Sequence, residues 1–211
     1  MPILTWTCLV AASYLLGSIP TAYLVARAHG VDIRTVGSGN VGATNVFRSV
    51  GKAWGLFAFA ADALKGFVPA RVFPAVCAAH FGFPGDMETT GLVCAAMAIA
   101  GHNWPVWLGF RGGKGVATGA GALMGVAPLA GAVGMVTWLF VFLPSRYVSL
   151  ASIAAAAGTG AAAWVFHRGG GPVLPAVITI LAAVLILRHR SNIKRLLQGT
   201  ENRITFGKKI V

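Results

Sequence analysis

Arg111 and Lys114 stand inside a glycine-rich stretch, Phe110–Gly119, that reads FRGGKGVATG. Glycines such as Gly112, Gly113 and Gly115 let backbone N–H groups approach an anion closely, and Lys and Arg add fixed positive charge. These residue types at this spacing suit a phosphate cradle. A second stretch, Gly37–Arg48 (GSGNVGATNVFR), gathers Ser38, Asn40, Thr44, Asn45 and Arg48 around Gly37, Gly39 and Gly42. Its amides and hydroxyl donate hydrogen bonds without charge, and Arg48 can grip a phosphate with two parallel bonds. A short helix beginning near Asn45 would add its positive end. Taken alone, this second stretch could be a solvated loop capping two helices. Both stretches lie between runs apolar enough to cross a bilayer, which points to a membrane enzyme acting on a phosphorylated small molecule.

Other polar groups lie in or beside the apolar runs. His102–Pro105 (HNWP) ends one run just before the FRGGKG loop, where Pro105 would end or bend a helix. A histidine at a membrane boundary serves structure more often than catalysis. Asp62 and Lys65 are three apart and share one helix face. Charges inside a bilayer are costly and face the bundle interior, so an internal ion pair is the first reading. Arg71 has no acidic neighbour in sequence and is expected to snorkel outward. The basic segment Arg188–Lys209 carries His189 and Asn192 on one face. It either lies on anionic lipid or closes over a cytoplasmic site.

Several chemistries are poorly provided for. A nucleotide P-loop, G-x-x-x-x-G-K-[ST], needs Gly at 108 and Ser or Thr at 115, where the chain has Leu108 and Gly115. No strand precedes the loop, so a nucleotide is not expected. The residues five positions after His29, His80, His102, His167 and His189 are Arg34, Gly85, Trp107, Pro172 and Lys194. The H-x-x-x-x-D pair of many glycerolipid acyltransferases is therefore absent. Cys8, Cys77 and Cys94 fall in apolar stretches without metal-ligand spacing and read as small buried hydrophobes. No metal and no cofactor is expected. The chemistry is left to an activated substrate, with the protein supplying position and anion stabilisation.

The elements that must hold these loops are membrane helices. The chain of 211 residues is 56% hydrophobic and only 10% charged, against about 25% charged in ordinary soluble domains. No linker divides it, so a single domain over residues 1–211 is expected. The net charge of +12 would suggest nucleic acid in a soluble chain, but the basic residues fall mainly in loops and at the C-terminus. Positive-inside topology, anionic lipid and an anionic substrate explain it better. Apolar runs cover Ile3–Ala26, Ala53–Phe81, Thr89–Leu108, Gly115–Leu143, Val148–Phe166 and Pro172–Leu187. The first lacks a basic leader and reads as a retained helix rather than a cleaved signal. The loops over 27–52 and 109–114 and the tail from Arg188 are basic and should face the cytoplasm, whereas Gly82–Glu88 carries Asp86 and Glu88 and should face outside. Parity then requires an even number of crossings between Lys114 and Arg188. Splitting Gly115–Leu143 near Gly125–Pro128 gives two short helices of roughly 14 residues, about 21 Å each. The expected fold is an all-α membrane protein with seven spans, N-terminus outside and C-terminus cytoplasmic. Arg146 then lies inside and His167–Gly171 outside. Small residues such as those over Ala154–Ala163 would let the middle helices pack closely.

Three motifs in this order resemble the bacterial acyl-phosphate:glycerol-3-phosphate acyltransferases, the PlsY family. They are GSGNVGATNVFR at 37–48, GHNWPVWLGFRGGKGVAT at 101–118 and HRSNIKRLLQGTEN at 189–202. GSIPTAYLVA at 17–26 and DALKG at 62–66 are similar as well, and the resemblance covers nearly the whole chain. Val41 stands where the family often has proline. The resemblance implies seven spans in the bacterial cytoplasmic (inner) membrane, an active site facing the cytoplasm, and no metal or nucleotide. It implies acyl transfer from acyl phosphate to the 1-hydroxyl of glycerol 3-phosphate, giving lysophosphatidic acid and phosphate. An acyl phosphate is a mixed anhydride, so no protein nucleophile is needed, and the substrate's own phosphate can take the hydroxyl proton. Carried onto this chain, Ser38, Arg48 and Lys114 form the phosphate-binding set, and Asn45, His189 and Asn192 match further polar positions. Ser149 or Ser152 is a weaker match at the start of the sixth span. Gly112, Gly113 and Gly115 would present backbone to the phosphate. A transporter for an organic phosphate is the rival class, but it should show inverted repeats with broken helices in both halves. No convincing repeat is evident, and both loops fall on one side.

Overall fold

Pro20, Pro69 and Pro128 punctuate the helices of the first two-thirds of the chain. The computed structural model describes residues 2–81, 85–167 and 169–204, and every regular element among them is helical. Lys208 and Lys209 of the basic tail, and 82–84 of the acidic loop, lie outside the described residues. The chain divides into two compact units, Met1–Val126 and Ala127–Val211.

The first unit contains α1 (Pro2–Ser18), α2 (Thr21–Ala28), α3 (Ala43–Ser49), α4 (Lys52–Phe67), α5 (Phe73–His80), α6 (Met87–Asn103) and α7 (Val116–Val126). Glycines set how these helices pack. A Cβ on Gly101 would collide with the backbone of Tyr14, Gly17 and Ser18, and one on Gly17 with that of Ala98. The C-terminal halves of α1 and α6 therefore run side by side in the same direction. A Cβ on Gly121 would strike Ala63, one on Gly66 Thr118, and one on Gly125 Ala70, so α4 and α7 are also parallel. Small residues allow this backbone-to-backbone approach, which is how helices associate where lipid supplies no hydrophobic drive. Gly91, near the start of α6, meets Ala70, just past the end of α4, and Val126, the last residue of α7. The ends of α1 and α6 and the start of α7 thus meet against the last turns of α4, where Lys65 reaches Ile19 O and Gly66 meets Thr118, and both glycine-rich loops touch that level through Val41, Gly112 and Gly113.

The second unit contains α8 (Pro128–Ser145), α9 (Val148–Phe166), α10 (Val173–Arg188) and α11 (Arg190–Leu197). Gly134 packs on Thr159 and Gly158 on Thr137, so α8 and α9 are antiparallel. The Trp164 indole donates to Thr179 Oγ1 at 3.0 Å, fastening α9 to α10. On α8, Val136, Phe140 and Leu143 are 66–80% exposed. Large apolar side chains displayed in this way suit lipid rather than water. The axis bends by 55° between α10 and α11.

Among the described residues, three helical stretches are long and apolar enough to cross a membrane, Ile3–Ala28, Pro128–Ser145 and Val148–Phe166, or four if α10 and α11 count as one span. The expected split of Gly115–Leu143 occurs at Ala127, with Pro128 opening α8 in the first helical turn, where its missing N–H is harmless. The two halves are unequal. α7 has 11 residues and α8 has 18 because α8 runs on to Ser145, so only α8 has full spanning length. The run Ile3–Ala26 is interrupted at Ile19–Pro20, where proline cannot donate to the preceding turn. The run Ala53–Phe81 carries a π-helical segment, Val68–Val72, around Pro69. Cys77 and Cys94 are buried as expected, but Cys8 is exposed on the apolar outer face of α1.

Candidate active site

Asn45 organises the first loop. It is buried at the third position of α3. Its side-chain amide donates to Ile33 O at 3.0 Å, Val36 O at 3.0 Å and Asn40 O at 3.1 Å. Its Oδ1 accepts the Ser38 N–H at 3.2 Å. Gly37 has φ +59°, and a Cβ there would meet Asn45 Oδ1. One amide thus pulls the GSGN turn over the start of α3, leaving Ser38, Gly37 and Gly39 exposed and Asn40 and Arg48 half-buried. The approach to the loop is fixed by Asp32, which accepts from Arg34 Nη2 at 2.8 Å and Arg27 Nη2 at 3.2 Å. Hydrogen bonds from the Arg34 side chain and backbone hold the Asp32 carboxyl well below the usual carboxylate range.

The second loop is docked on the end of α6. Gly112 N–H donates to Asn103 O at 3.2 Å and Gly113 N–H to His102 O at 3.1 Å. A Cβ on Gly112 would strike His102 O, and one on Gly113 would strike the His102 ring at Nε2. The N–H groups of Gly112 and Gly113, expected from sequence to face a phosphate, are instead spent on these two carbonyls. Gly115 has φ +80° and lies against the Asn103 side chain. Lys114 is half-buried between these anchored glycines. The loops meet where Val41 of the first and Gly112 and Gly113 of the second line one cavity.

In the second unit the organiser is Glu201. Its Oε1 accepts from Ser149 Oγ at 2.8 Å and from Asn192 Nδ2 at 2.7 Å, and its Oε2 accepts from Arg195 Nε at 2.7 Å. Ile204 N–H donates to Arg146 O at 3.0 Å, returning the tail to the α8–α9 turn. His189 is buried, with Nδ1 2.8 Å from Leu185 O. A carbonyl only accepts, so Nδ1 carries the proton and Nε2 is the basic atom of the neutral ring. Ser152 Oγ donates to Val148 O at 2.7 Å and accepts from the Trp138 indole at 3.3 Å, away from the Glu201 cluster. Among the described residues, no group of three His, Cys, Asp or Glu side chains is placed to hold a metal ion.

The family model for glycerol-3-phosphate acyltransferase matches residues 7–199. The chain belongs to this family. It is 47% identical over 200 residues to glycerol-3-phosphate acyltransferase 2 of Moorella thermoacetica, covering 94% of this chain and 97% of that one. It is 44% identical over 195 residues to the glycerol-3-phosphate acyltransferase of Geotalea daltonii, covering 92% and 95%. Its structure is similar to the crystal structure of PlsY, an integral membrane glycerol 3-phosphate acyltransferase, in its glycerol 3-phosphate form. The TM-score is 0.83 at 41% identity, with 95% of this chain and 96% of that chain covered. The lysophosphatidic acid form of PlsY gives a TM-score of 0.81 at 40% identity, with 95% of each chain covered.

Within this glycerol-3-phosphate acyltransferase family member, the loops of Ser38, Arg48 and Lys114 come together in the first unit, and Ser149 joins Asn192 through Glu201 in the second. Glu201 is the residue that sequence reasoning passed over. Its sequence signals were its place in the 189–202 motif and its isolation, as the sole acid after Glu88. Burial pushes its carboxyl up, but hydrogen bonds from Asn192, Ser149 and Arg195 outweigh this and hold it below its ordinary value of 4.5. A carboxyl depressed in the native state adds stability that is fully present above the unfolded value and is lost as pH falls through the native one. The melting temperature in detergent should therefore exceed that of Glu201→Gln at neutral pH, and the gap should close as the pH falls below 4.5. A gap that persists unchanged in acid would show that the Glu201 charge is not what holds the cluster.

Proposed function

We propose that this chain transfers a fatty acyl group from acyl phosphate to the 1-hydroxyl of glycerol 3-phosphate. The products are 1-acylglycerol 3-phosphate and inorganic phosphate. The observation that carries the proposal is that two basic, glycine-rich loops dock together in the first unit, Val41 of one lying beside Gly112 and Gly113 of the other. Such a site binds phosphate by fixed charge, and both substrates of this reaction carry phosphate. In the reaction the glycerol oxygen attacks the acyl carbonyl carbon, a new ester C–O bond forms, and the bond from that carbon to the phosphate oxygen breaks. The hydroxyl proton passes to a phosphate oxygen of the donor, and the electron pair leaves with phosphate. Arg48 and Lys114 offset the phosphate charge, and the Ser38 hydroxyl adds a hydrogen bond. Asn45 contributes by shaping the loop, since its amide is committed to backbone groups. In the second unit, His189, Asn192 and Ser149 serve the same reaction, with Ser149 preferred over Ser152 because it shares Glu201 with Asn192.

The donor chemistry needs no acyl-enzyme. Incubation with acyl phosphate alone should leave the protein mass unchanged, and an acyl adduct detected by mass spectrometry would overturn direct transfer. The protein sits, in this proposal, in the bacterial inner membrane as one seven-span domain over residues 1–211. Its spans are α1 with α2, α4 with α5, and each of α6 to α10. The N-terminus is outside and the site faces the cytoplasm, as the charge of the loops requires. Single cysteines at positions 48, 114 and 194 should resist a membrane-impermeant thiol reagent applied from outside, and efficient labelling at any of them would overturn this topology.

A further inference from the structure

A buried polar cluster lies beneath the Lys114 loop, and nothing above gives it a role. Asp62 and Lys65 on α4 form an ion pair at 2.8 Å, with side chains 2% and 6% exposed. Lys65 Nζ also donates to Ile19 O at 2.7 Å, at the break between α1 and α2 where Pro20 provides no N–H. His102 Nδ1 is 3.9 Å from Asp62 Oδ1. Ser18, Asp62, Lys65, His102, Gly112 and Gly113 line a single cavity, and the Ser18 hydroxyl is fully buried there. On the side away from Asp62, the His102 ring fills the space where a Gly113 side chain would stand.

Stability is a poor reason for such a cluster. Replacing a buried ion pair by apolar residues of similar volume is often neutral or stabilising. Position is a better one. The imidazole lies between the Asp62 carboxylate, 3.9 Å from its Nδ1, and the Gly113 backbone, and Gly113 N–H is bonded to the carbonyl of His102 itself. Lys114 is the next residue, so its height above α6 is set by where that ring stands. A cation aimed at a reacting phosphate loses much of its effect when displaced, and a shift of about 1 Å can cost on the order of 10² in rate. We infer that His102 is a positioning residue for Lys114, held in place by the Asp62–Lys65 pair. The inference rests on the reading of Lys114 as a phosphate contact.

A double-mutant cycle between positions 102 and 114, on the full-length protein in detergent, tests it. His102→Ala should lower kcat/KM for glycerol 3-phosphate roughly tenfold to a hundredfold. In a Lys114→Ala background the same substitution should cost less than about twofold, because the residue it positions is gone. An equal loss in both backgrounds would show that His102 acts elsewhere and overturn the inference. If His102→Ala does not fold, His102→Gln carries the same cycle and is read the same way. The pair Asp62→Asn with Lys65→Met, which removes both charges together, should lower kcat with little change in melting temperature, and an unchanged kcat would remove the ion pair from the account. A Lys114→Ala protein that keeps more than about a tenth of its turnover contradicts the phosphate reading itself, and this inference falls with it. Coupling is the distinguishing signal, because a merely structural role at 102 would multiply with the loss at 114.

Discussion

Lys114→Ala is expected to lower turnover by about 10²–10³ while the purified protein stays folded in detergent. The side chain is half-buried in a loop whose neighbouring glycines are anchored to α6 through backbone hydrogen bonds. Truncating it leaves those anchors intact, so the fold should survive. What disappears is a fixed positive charge against phosphate, where negative charge redistributes as the acyl bond breaks. By analogy with the loss of one oxyanion donor, this is worth roughly 2.7–4 kcal/mol of transition-state stabilisation. Lys114→Arg should restore little, because a planar guanidinium has a different reach and donor geometry from a compact ammonium. If the alanine variant keeps more than a tenth of wild-type turnover, a loss under about 1.4 kcal/mol, the glycine-rich loop is not the phosphate cradle.

Glu201→Ala should be the most damaging substitution for stability in the second unit. The carboxylate accepts from Ser149 on α9 and from Asn192 and Arg195 on α11, and its side chain is only 5% exposed. Its removal breaks the hydrogen bonds it accepts from two buried side chains, and a buried donor that loses its acceptor costs about 1–3 kcal/mol. Arg195 is 32% exposed and can turn to solvent, so its share is small. A total near 3 kcal/mol corresponds to a fall of about 6–12 °C in melting temperature for a chain of this size. Activity should fall as well, because Asn192 and Ser149 lose the group that aligns them. A melting temperature within about 2 °C of wild type, on a scale of 2–4 °C per kcal/mol, would mean that the cluster contributes nothing to the fold.

The parts of this protein that were legible in the sequence are those where local residue type constrains the backbone. Pro128 after Gly125 announced the break between α7 and α8, and the spacing of Asp62 and Lys65 announced their ion pair. The two glycine-rich loops stood out because polar, basic residues are rare in a chain this apolar. Other features depend on contacts between segments far apart in sequence. The use of Gly112 and Gly113 N–H by His102 and Asn103 appears only when the loop folds back on α6. Glu201 becomes an organiser only when the tail returns to the start of α9, which joins residues 52 positions apart. Pro20 was visible, but an apolar run continues across it, so hydropathy alone merged α1 and α2. The reach of α8 to Ser145 was hidden for a similar reason. The apolar run ends at Leu143, yet Pro144 and Ser145 complete the last turn of the helix.

In the proposed reaction acyl phosphate is the donor, and its acyl group passes directly to glycerol 3-phosphate. The most direct measurement supplies purified protein with glycerol 3-phosphate and, in separate reactions, acyl phosphate, acyl-coenzyme A or an acyl carrier thioester, all with chelator and without nucleotide. The expected result is 1-acylglycerol 3-phosphate with an equal amount of inorganic phosphate when acyl phosphate is the donor, and no product from either thioester. Product formed from a thioester but not from acyl phosphate would contradict it.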